Sequence, residues 1–550
     1  MVLKTLLLLI SVSSFLTIGI IAGKREFKGS HFITLFALLL IFFIAIMVLF
    51  IKKEKYQGIL EQRLVRKIIL ILLPMGFIFI LAMGFLMHFN EDDHIVWGTI
   101  DSVSYYIQAK IFSTGHISVP SHELKEFFST GYCINDGRYY SIYFPGWPLL
   151  LSVGITMGLP WIINPIFGIL TIILIYFIGM EIYDRETGLF AAVLLLCSRY
   201  FYVLTPTYFS EPSALFFSSL FVYCIIRTLK EPKVISSLLA GLVLGILFLI
   251  RPYTAFAVSL PIMGYFLLSS VKRKAKAVSS IVAVILSFLP MFFVFFLYNY
   301  LQTGSVFLTP FQYYNPSNTL GFGLRSFDII INPYPYTVFN AIRNVVVNLA
   351  ILNLESVPFL FLFFILVFIN KPNQWDMLLF ATLASIIFFQ MFYFYREVRY
   401  YYPVFFALVI LAARGINLSD VIFRKYFPHT RVKNLHHFIL LFIVLANLFS
   451  IISPQKVFYD YRSAKKMRDP FDVVQEREIH NAVVFLKTVP IKDNYTALYV
   501  QNPLNFIGDV LFVKDLKERN SELIKYYPDR EFYVYEFDRF KKSGKLTRLK

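Results

Sequence analysis

Charge is what this sequence is short of. Asp, Glu, Lys and Arg make up 16% of its 550 residues, against roughly 25% in soluble domains, and that shortfall excludes an ordinary soluble chain. Cysteine is scarcer still. Cys133, Cys197 and Cys224 are the only three, without C-x-x-C spacing and with the last two inside apolar runs, so neither a disulfide framework nor a cysteine zinc site is indicated and all three read as packing residues. No internal repeat is visible, which argues against the inverted-repeat architecture of many transporters.

What is there instead is apolar: 57% hydrophobic and 18% aromatic residues, with a mean hydropathy of +0.65. A spanning helix needs about 20 mainly apolar residues, and such runs lie near 3–22, 32–51, 68–87, 161–183, 187–204, 212–229, 235–250, 254–270, 277–298, 346–370, 377–394, 402–416 and 437–453. The chain is therefore read as an α-helical polytopic membrane protein of about thirteen transmembrane helices. The first run follows Lys4 but is long and lacks a small-residue cleavage site, so it is expected to remain as a span. The net charge of +18 comes from Lys and Arg in short loops and in the tail, where the positive-inside effect accounts for most of it; no nucleic-acid partner is indicated.

Orientation follows from the same residues. The basic loops at 52–67 (KKEKYQGILEQRLVRK), 228–234, 271–276 (VKRKAK) and 414–436 are assigned to the cytoplasm, and the long, sparsely basic loops 88–160 and 299–345 to the outside. Residues 1–67 then form two N-terminal helices and a basic loop, 68–453 a membrane module, and 454–550 an extracytoplasmic α/β domain. In that tail AVVFLK (482–487), TALYV (496–500), DVLFV (509–513) and EFYVYEF (531–537) read as strands by their β-branched and aromatic content. DLKERNSELIKYY (515–527) reads as a helix, with Asp515 and Glu518 at capping-box spacing.

The stretch DSVSYYIQAKIFSTGH, just beyond the third run, places Asp101, Tyr105, Gln108 and Ala109 on one helical face. Such a face suits a hydroxyl-bearing substrate, although Asp is also among the best helix caps and spacing alone favours the cap. Upstream, Glu91, Asp92, Asp93 and His94 offer oxygen and imidazole ligands; solvated loop charge is the simpler reading, with Asp92 and Asp93 kept as candidates for a divalent metal. Downstream, Tyr139, Tyr140, Tyr143, Phe144 and Trp147 read mainly as an interfacial aromatic belt. Glu211, Arg251, Arg396 and Arg399 stand where apolar runs meet the outer surface, on the same side as Asp101, and charge at membrane depth marks function when it cannot reach water.

The order of these features resembles the GT-C superfamily of integral-membrane glycosyltransferases, specifically bacterial relatives of the protein mannosyltransferases and the lipid A aminoarabinose transferases. The resemblance covers roughly residues 68–416. It rests on Asp101, Tyr105, Ala109 and Gly115 in a D-x-x-x-Y-x-x-x-A-x-x-x-x-x-G pattern, then on YFPGWPLLL (143–151), SEPSALFF around Glu211, GLVLGILFLIRP ending on Arg251 and Pro252, and RYYYPVFFALVILAARGI (399–416). A single Pro145 stands where the family has a proline pair, and the two spans before residue 68 are an addition. The resemblance implies inverting transfer of a sugar from a polyprenyl-phosphate carrier to a hydroxyl of a glycolipid, glycan or protein of the envelope, at the outer face of the cytoplasmic membrane. It implies Asp101 as the base, with Arg251, Arg396 and Arg399 on the leaving phosphate and Tyr105, Glu211 and Tyr400 binding substrate. These residues call for no organic cofactor and leave a divalent metal open. The competing readings are a flippase for lipid-linked sugars, which should carry charges deep in several spans, and a non-catalytic scaffold.

Overall fold

Lipid offers no hydrogen bonds to a backbone, so a chain this apolar must satisfy its own N–H and C=O groups within helices. The computed structural model describes residues 73–85, 100–271, 275–326, 333–356, 360–426, 435–437, 439–441, 443–444, 469–487, 496–538 and 543–549. The principal helices are α1 (Leu73–Phe85), α2 (Ile100–Ser113), α3 (Gly146–Thr156), α4 (Ile163–Ile182), α5 (Arg185–Leu196), α6 (Glu211–Lys230), α7 (Val234–Ile250), α8 (Pro252–Val271), α9 (Ala275–Thr303), α10 (Val338–Glu355), α11 (Leu360–Ile369), α12 (Gln374–Gln390) and α13 (Phe405–Tyr426).

Among the described residues, five stretches, Pro160–Ile182, Glu211–Lys230, Pro252–Ser269, Val278–Thr303 and Val398–Lys425, are long and apolar enough to cross a membrane. The expected spans at 161–183, 212–229, 235–250, 254–270 and 277–298 each correspond to one helix. Others are interrupted. The run 187–204 breaks at Cys197 and Ser198 into α5 and a short helix, Arg199–Leu204, capped by the Ser198 side chain; the run 346–370 divides into α10 and α11. The run 402–416 starts as a 3₁₀ turn, Val398–Val404, around Pro403 and continues as α13 to Tyr426. The expected spans at 3–22 and 32–51 lie outside the described residues, as do Glu91, Asp92, Asp93 and His94, while 437–453 is described only in part.

In lipid, helices associate through close fit rather than hydrophobic drive. Where α7 crosses α9, a Cβ on Gly241 would stand 2.0 Å from the Val284 carbonyl oxygen, so only glycine permits the approach. Gly146, in the PGWP turn, presses on the end of α7: its Cβ would lie 2.5 Å from the Ile250 nitrogen. That contact fixes the turn against the residue preceding Arg251. The three cysteines are buried and unpaired by disulfides.

The loop after α2 builds an antiparallel sheet of β1 (Val119–Pro120), β2 (Cys133–Asp136) and β3 (Arg138–Ser141), in the order β1-β3-β2. The aromatics there form no belt. Trp147 is fully buried and donates to the Tyr208 carbonyl at 2.8 Å; Tyr140 donates to the Gln302 carbonyl at 2.8 Å; Tyr139 bonds Thr130. They are internal because the loop folds back onto the bundle, a fact composition alone does not carry. Gln108 also serves the loop, donating to the Ile117 carbonyl and accepting from the Ser141 N–H, both at 2.9 Å.

A second hairpin pairs β4 (Gly323–Arg325) with β5 (Tyr334–Tyr336). In the tail, β6 (Ala482–Leu486), β7 (Val510–Lys514), β8 (Glu531–Asp538) and β9 (Ser543–Arg548) make one sheet in the order β7-β6-β8-β9. β6 runs parallel to both neighbours, and β9 is antiparallel to β8. Two expectations are corrected. TALYV holds a helical turn, Thr496–Tyr499, instead of a strand, and its Leu498 and Tyr499 are buried against the core rather than paired in the sheet. The expected helix at 515–527 shortens to α14 (Asn520–Tyr526) after a 3₁₀ turn; Asp515 accepts from the Lys517 N–H and the Asn520 amide, closing a turn rather than a capping box. Phe127 and Phe128 of the first loop insert among Val483, Phe485, Phe506 and Leu523. The tail sheet and that loop thus share a core.

Candidate functional site

Helix ends decide where charge can be kept in this bundle. Asp101 lies in the first turn of α2 and Glu211 in the first turn of α6, where the helix dipole favours anions. Arg251 follows the last residue of α7, its N–H still bonded to the Leu247 carbonyl, where the dipole favours cations. Pro252 cannot continue that hydrogen-bonding pattern, so the chain turns there and α8 begins. Arg399 comes from the 3₁₀ turn before α13.

These four side chains form one linked array. Arg399 Nη2 lies 3.0 Å from Asp101 Oδ2, and its Nε stands 3.8 Å from Glu211 Oε1. The same Glu211 oxygen accepts from Arg251 Nη1 at 2.8 Å. Glu211 is 1% exposed, and its second oxygen has no hydrogen-bond partner among the described residues. Ser210 joins the array, meeting Arg251 Nη1 and the Tyr105 hydroxyl, each at 3.1 Å.

Aromatic rings hold the guanidinium groups in place. Arg399 sits 4.3 Å from the Phe209 ring centre and 5.3 Å from that of Tyr400, which also lies 5.5 Å from Arg251, distances at which cation–π attraction operates. Tyr143 donates to Asp101 and stacks on Tyr105 at 4.2 Å. Asp101, Tyr105, Tyr143, Arg251, Arg399 and Tyr400 line a cavity of about 270 Å³, to which Phe311, Gln312, Asn315 and Asn318 from the loop after α9 also contribute.

Six of the residues singled out in the sequence, Asp101, Tyr105, Glu211, Arg251, Arg399 and Tyr400, line this cavity. Arg396 does not: it is exposed and stands outside the lining. Asp101 stands one residue inside α2, and its carboxylate reaches across to Arg399 and Tyr143. Tyr143 and Ser210 were missed. Tyr143 had no signal separating it from its aromatic neighbours; Ser210 was visible within SEPS, next to Glu211. The 311–318 loop carried no charge to draw attention to it.

Among the described residues no group of three His, Cys, Asp or Glu side chains converges on the cavity. The group that does form, Glu186, His436 and His437, belongs to the opposite end of the bundle. Outside the spans, α2 is anchored at its other end, where Lys110 Nζ donates to the carbonyls of Val500 and Asn502 at 2.9 and 3.0 Å; burial pulls its pKa below the usual lysine value.

A family model described as dolichyl-phosphate-mannose-protein mannosyltransferase matches residues 156–298. The apo crystal structure of ArnT from Cupriavidus metallidurans is similar at a TM-score of 0.51 and 12% identity, over 84% of this chain and 91% of that one. ArnT from the same organism bound to undecaprenyl phosphate gives 0.48 at 12% identity, covering 84% and 92%. The archaeal oligosaccharyltransferase AglB from Archaeoglobus fulgidus, in complex with an inhibitory peptide and a dolichol-phosphate, gives 0.40 at 12%, covering 76% and 62%. Comparison with curated protein sequences gives no match. The family-model match and the shared ArnT fold bear out the resemblance to the GT-C membrane glycosyltransferases.

Proposed function

We propose that this chain is an inverting glycosyltransferase that moves a sugar from a polyprenyl-phosphate carrier to a hydroxyl of an envelope glycolipid, glycan or protein, at the outer face of the cytoplasmic membrane. The observation that carries the reading is the array in which Asp101, Arg399, Glu211 and Arg251 meet at one end of the bundle, around a single cavity. Its volume of about 270 Å³, just below the roughly 300–1,000 Å³ typical of small-molecule sites, suits one sugar with its phosphate. A donor whose tail cannot leave lipid and whose head cannot enter it must react at such a boundary.

The chemistry is a displacement in which charge changes place. The acceptor oxygen bonds to the anomeric carbon as the bond from that carbon to the phosphate oxygen breaks. The acceptor proton passes to the Asp101 carboxylate, and the departing phosphate gains the negative charge that Asp101 loses. A positioned base of this kind contributes typically 10²- to 10⁴-fold. Arg399, bonded to Asp101 before reaction, is placed to follow the charge toward the phosphate, and Arg251 supplies a second guanidinium for oxyanion binding. Glu211 orients both arginines. Tyr105 and Tyr400 wall the cavity, with Tyr400 beneath the two guanidinium groups.

One observation favours a second role for Asp101. Its ion pair with Arg399 would also serve to aim that arginine, with the base supplied elsewhere. The tail, residues 454–550, is read as extracytoplasmic on the support of its contacts with the loop that carries α2. Purified full-length protein in detergent, given labelled polyprenyl-phosphate sugar, is expected to hydrolyse or transfer it. Flux of intact donor across liposomes without bond cleavage would instead support a flippase and overturn the reading.

A further inference from the structure

At the end of the bundle away from the cavity, three segments distant in sequence bring together a second polar group. Glu186 stands in the first turn of α5, behind the Asp184 cap; Asp420 lies in the last turns of α13; His436 and His437 come from the helical residues at 435–437. Glu186 Oε1 is 3.0 Å from His437 Nε2 and 3.6 Å from His436 Nε2. Asp420 Oδ2 is 2.7 Å from His436 Nδ1. The two rings lie 4.1 Å apart between centres, and both histidines are nearly buried while Glu186 is 41% exposed.

Two ordinary explanations cover part of this arrangement. A buried histidine hydrogen-bonded to a carboxylate needs no metal, and the Asp420–His436 pair satisfies that description. It leaves the rest unexplained. His437 is 7% exposed and its Nδ1 has no hydrogen-bond partner among the described residues. Two imidazole Nε2 atoms also face one carboxylate oxygen, although a single pair would satisfy it.

A tetrahedral zinc ion with N and O ligands at about 2.0–2.2 Å holds those atoms about 3.3–3.5 Å from one another. The spacings of 3.0 and 3.6 Å bracket that figure. The Asp420 carboxylate, accepting from Nδ1–H, would fix the tautomer that leaves His436 Nε2 free to ligate, which is the usual outer partner of a metal-bound histidine. Imidazole ligands select zinc and its transition-metal neighbours over magnesium and calcium, which prefer all-oxygen sites. The half-exposed Glu186 gives the ion a route in from water.

We propose that Glu186, His436 and His437 bind a divalent transition-metal ion, with zinc the best fit, which fastens the segment carrying the histidines to α5 and α13. A water or a small cytosolic ligand completes the fourth position. Asp420 acts through His436 and is a positioning residue. The ion is structural, remote from the cavity, and bridges residues that the sequence separates by about 250 positions.

The test uses full-length protein purified in detergent on an affinity tag free of histidine, with metal content read by mass spectrometry. Wild type is expected to hold about one equivalent of zinc after incubation and desalting, and to lose thermal midpoint on chelation, with recovery by Zn²⁺ but not Mg²⁺. His437→Ala and Glu186→Gln should both abolish retention, the second preserving the shape of the site in case the first fails to fold. Asp420→Asn should weaken zinc binding by roughly 10- to 100-fold. Substoichiometric metal in the incubated wild type, or retention in folded Glu186→Gln, overturns the proposal.

Discussion

Asp101 can act as base or as anchor for Arg399, and a double-mutant cycle separates the two. Asp101→Asn keeps the shape of the side chain and its ability to accept from Tyr143, but removes proton-accepting power and the ion pair at 3.0 Å. If the residue only aims Arg399, the loss equals that of one hydrogen bond between charged groups, about 1.5–3 kcal/mol, or roughly 10- to 150-fold in rate at 1.36 kcal/mol per decade. In an Arg399→Ala background the same substitution should then cost almost nothing further. If Asp101 takes the acceptor proton, the loss is about 10²- to 10⁴-fold, and most of it persists when Arg399 is already gone. We expect the second pattern. The assay is single-turnover transfer from labelled donor, with insertion and folding of each variant checked by gel filtration and thermal midpoint. Folded Asp101→Asn protein working at the parental rate refutes both roles, and loss that vanishes in the Arg399→Ala background refutes the base.

Glu211→Gln should destabilise strongly, because it leaves Arg251 facing a neutral amide and Arg399 with Asp101 as its remaining carboxylate; breaking a buried pair costs about 3–5 kcal/mol, and an unchanged thermal midpoint would contradict the arrangement. Acid should loosen the tail from the first loop. His122 donates through Nε2 to Tyr527 at 3.0 Å and accepts from the Leu124 N–H at Nδ1 at 2.9 Å, and burial holds its pKa below 6.5. A histidine pKa lowered in the folded state costs nothing while both states are neutral, above about 6.5, and removes stability as pH falls below that value, because the undocked state binds the proton more readily. Protection of β7 and α14 against hydrogen exchange, taken relative to the intrinsic rate at each pH, should therefore fall between pH 7 and 5, and His122→Phe should abolish that fall, since the Tyr527 hydroxyl keeps the Phe506 carbonyl at 3.2 Å.

What the sequence made legible was whatever membrane physics penalises. Asp101, Glu211, Arg251 and Arg399 stood out because charge beside apolar runs is costly, and all four meet in the cavity. Arg396 carried the same signal yet lies exposed outside the cavity, since a residue at a span's edge can turn either way and only packing decides. Tyr143 and Trp147 were read as lipid-facing because interfacial and buried aromatics look alike in one dimension. The break at Ser198 and the turn at Pro403 fell inside runs whose hydropathy averages over both. The pairing of His436 and His437 with Glu186 was invisible, because the contact joins chain segments with no spacing rule between them. In the tail, strand composition located β6, β7 and β8, but TALYV has the same composition and forms a helical turn, a difference that β-propensity alone does not carry.

The most exposed link in the molecule's logic is α2, a 14-residue helix held at one end by the charges of the cavity and at the other by the tail. Lys110 makes the second attachment through two backbone carbonyls, so Lys110→Met, similar in length and apolar, removes both hydrogen bonds and leaves the Val500 and Asn502 oxygens without their partner. A buried polar group deprived of its partner costs about 1–3 kcal/mol, enough to raise local opening of 496–513 by roughly 5- to 150-fold, read by hydrogen exchange. Nine residues of helix, about 14 Å at 1.5 Å per residue, separate this lysine from Asp101. A rigid helix transmits a loosened end as a change in aim rather than in chemistry. The expected kinetic signature is thus a raised KM for a large acceptor with kcat on a small hydroxyl donor-acceptor pair little changed. Equal loss on both acceptors would mean that α2 is held by the cavity alone, and unchanged exchange would mean that the lysine contact holds nothing.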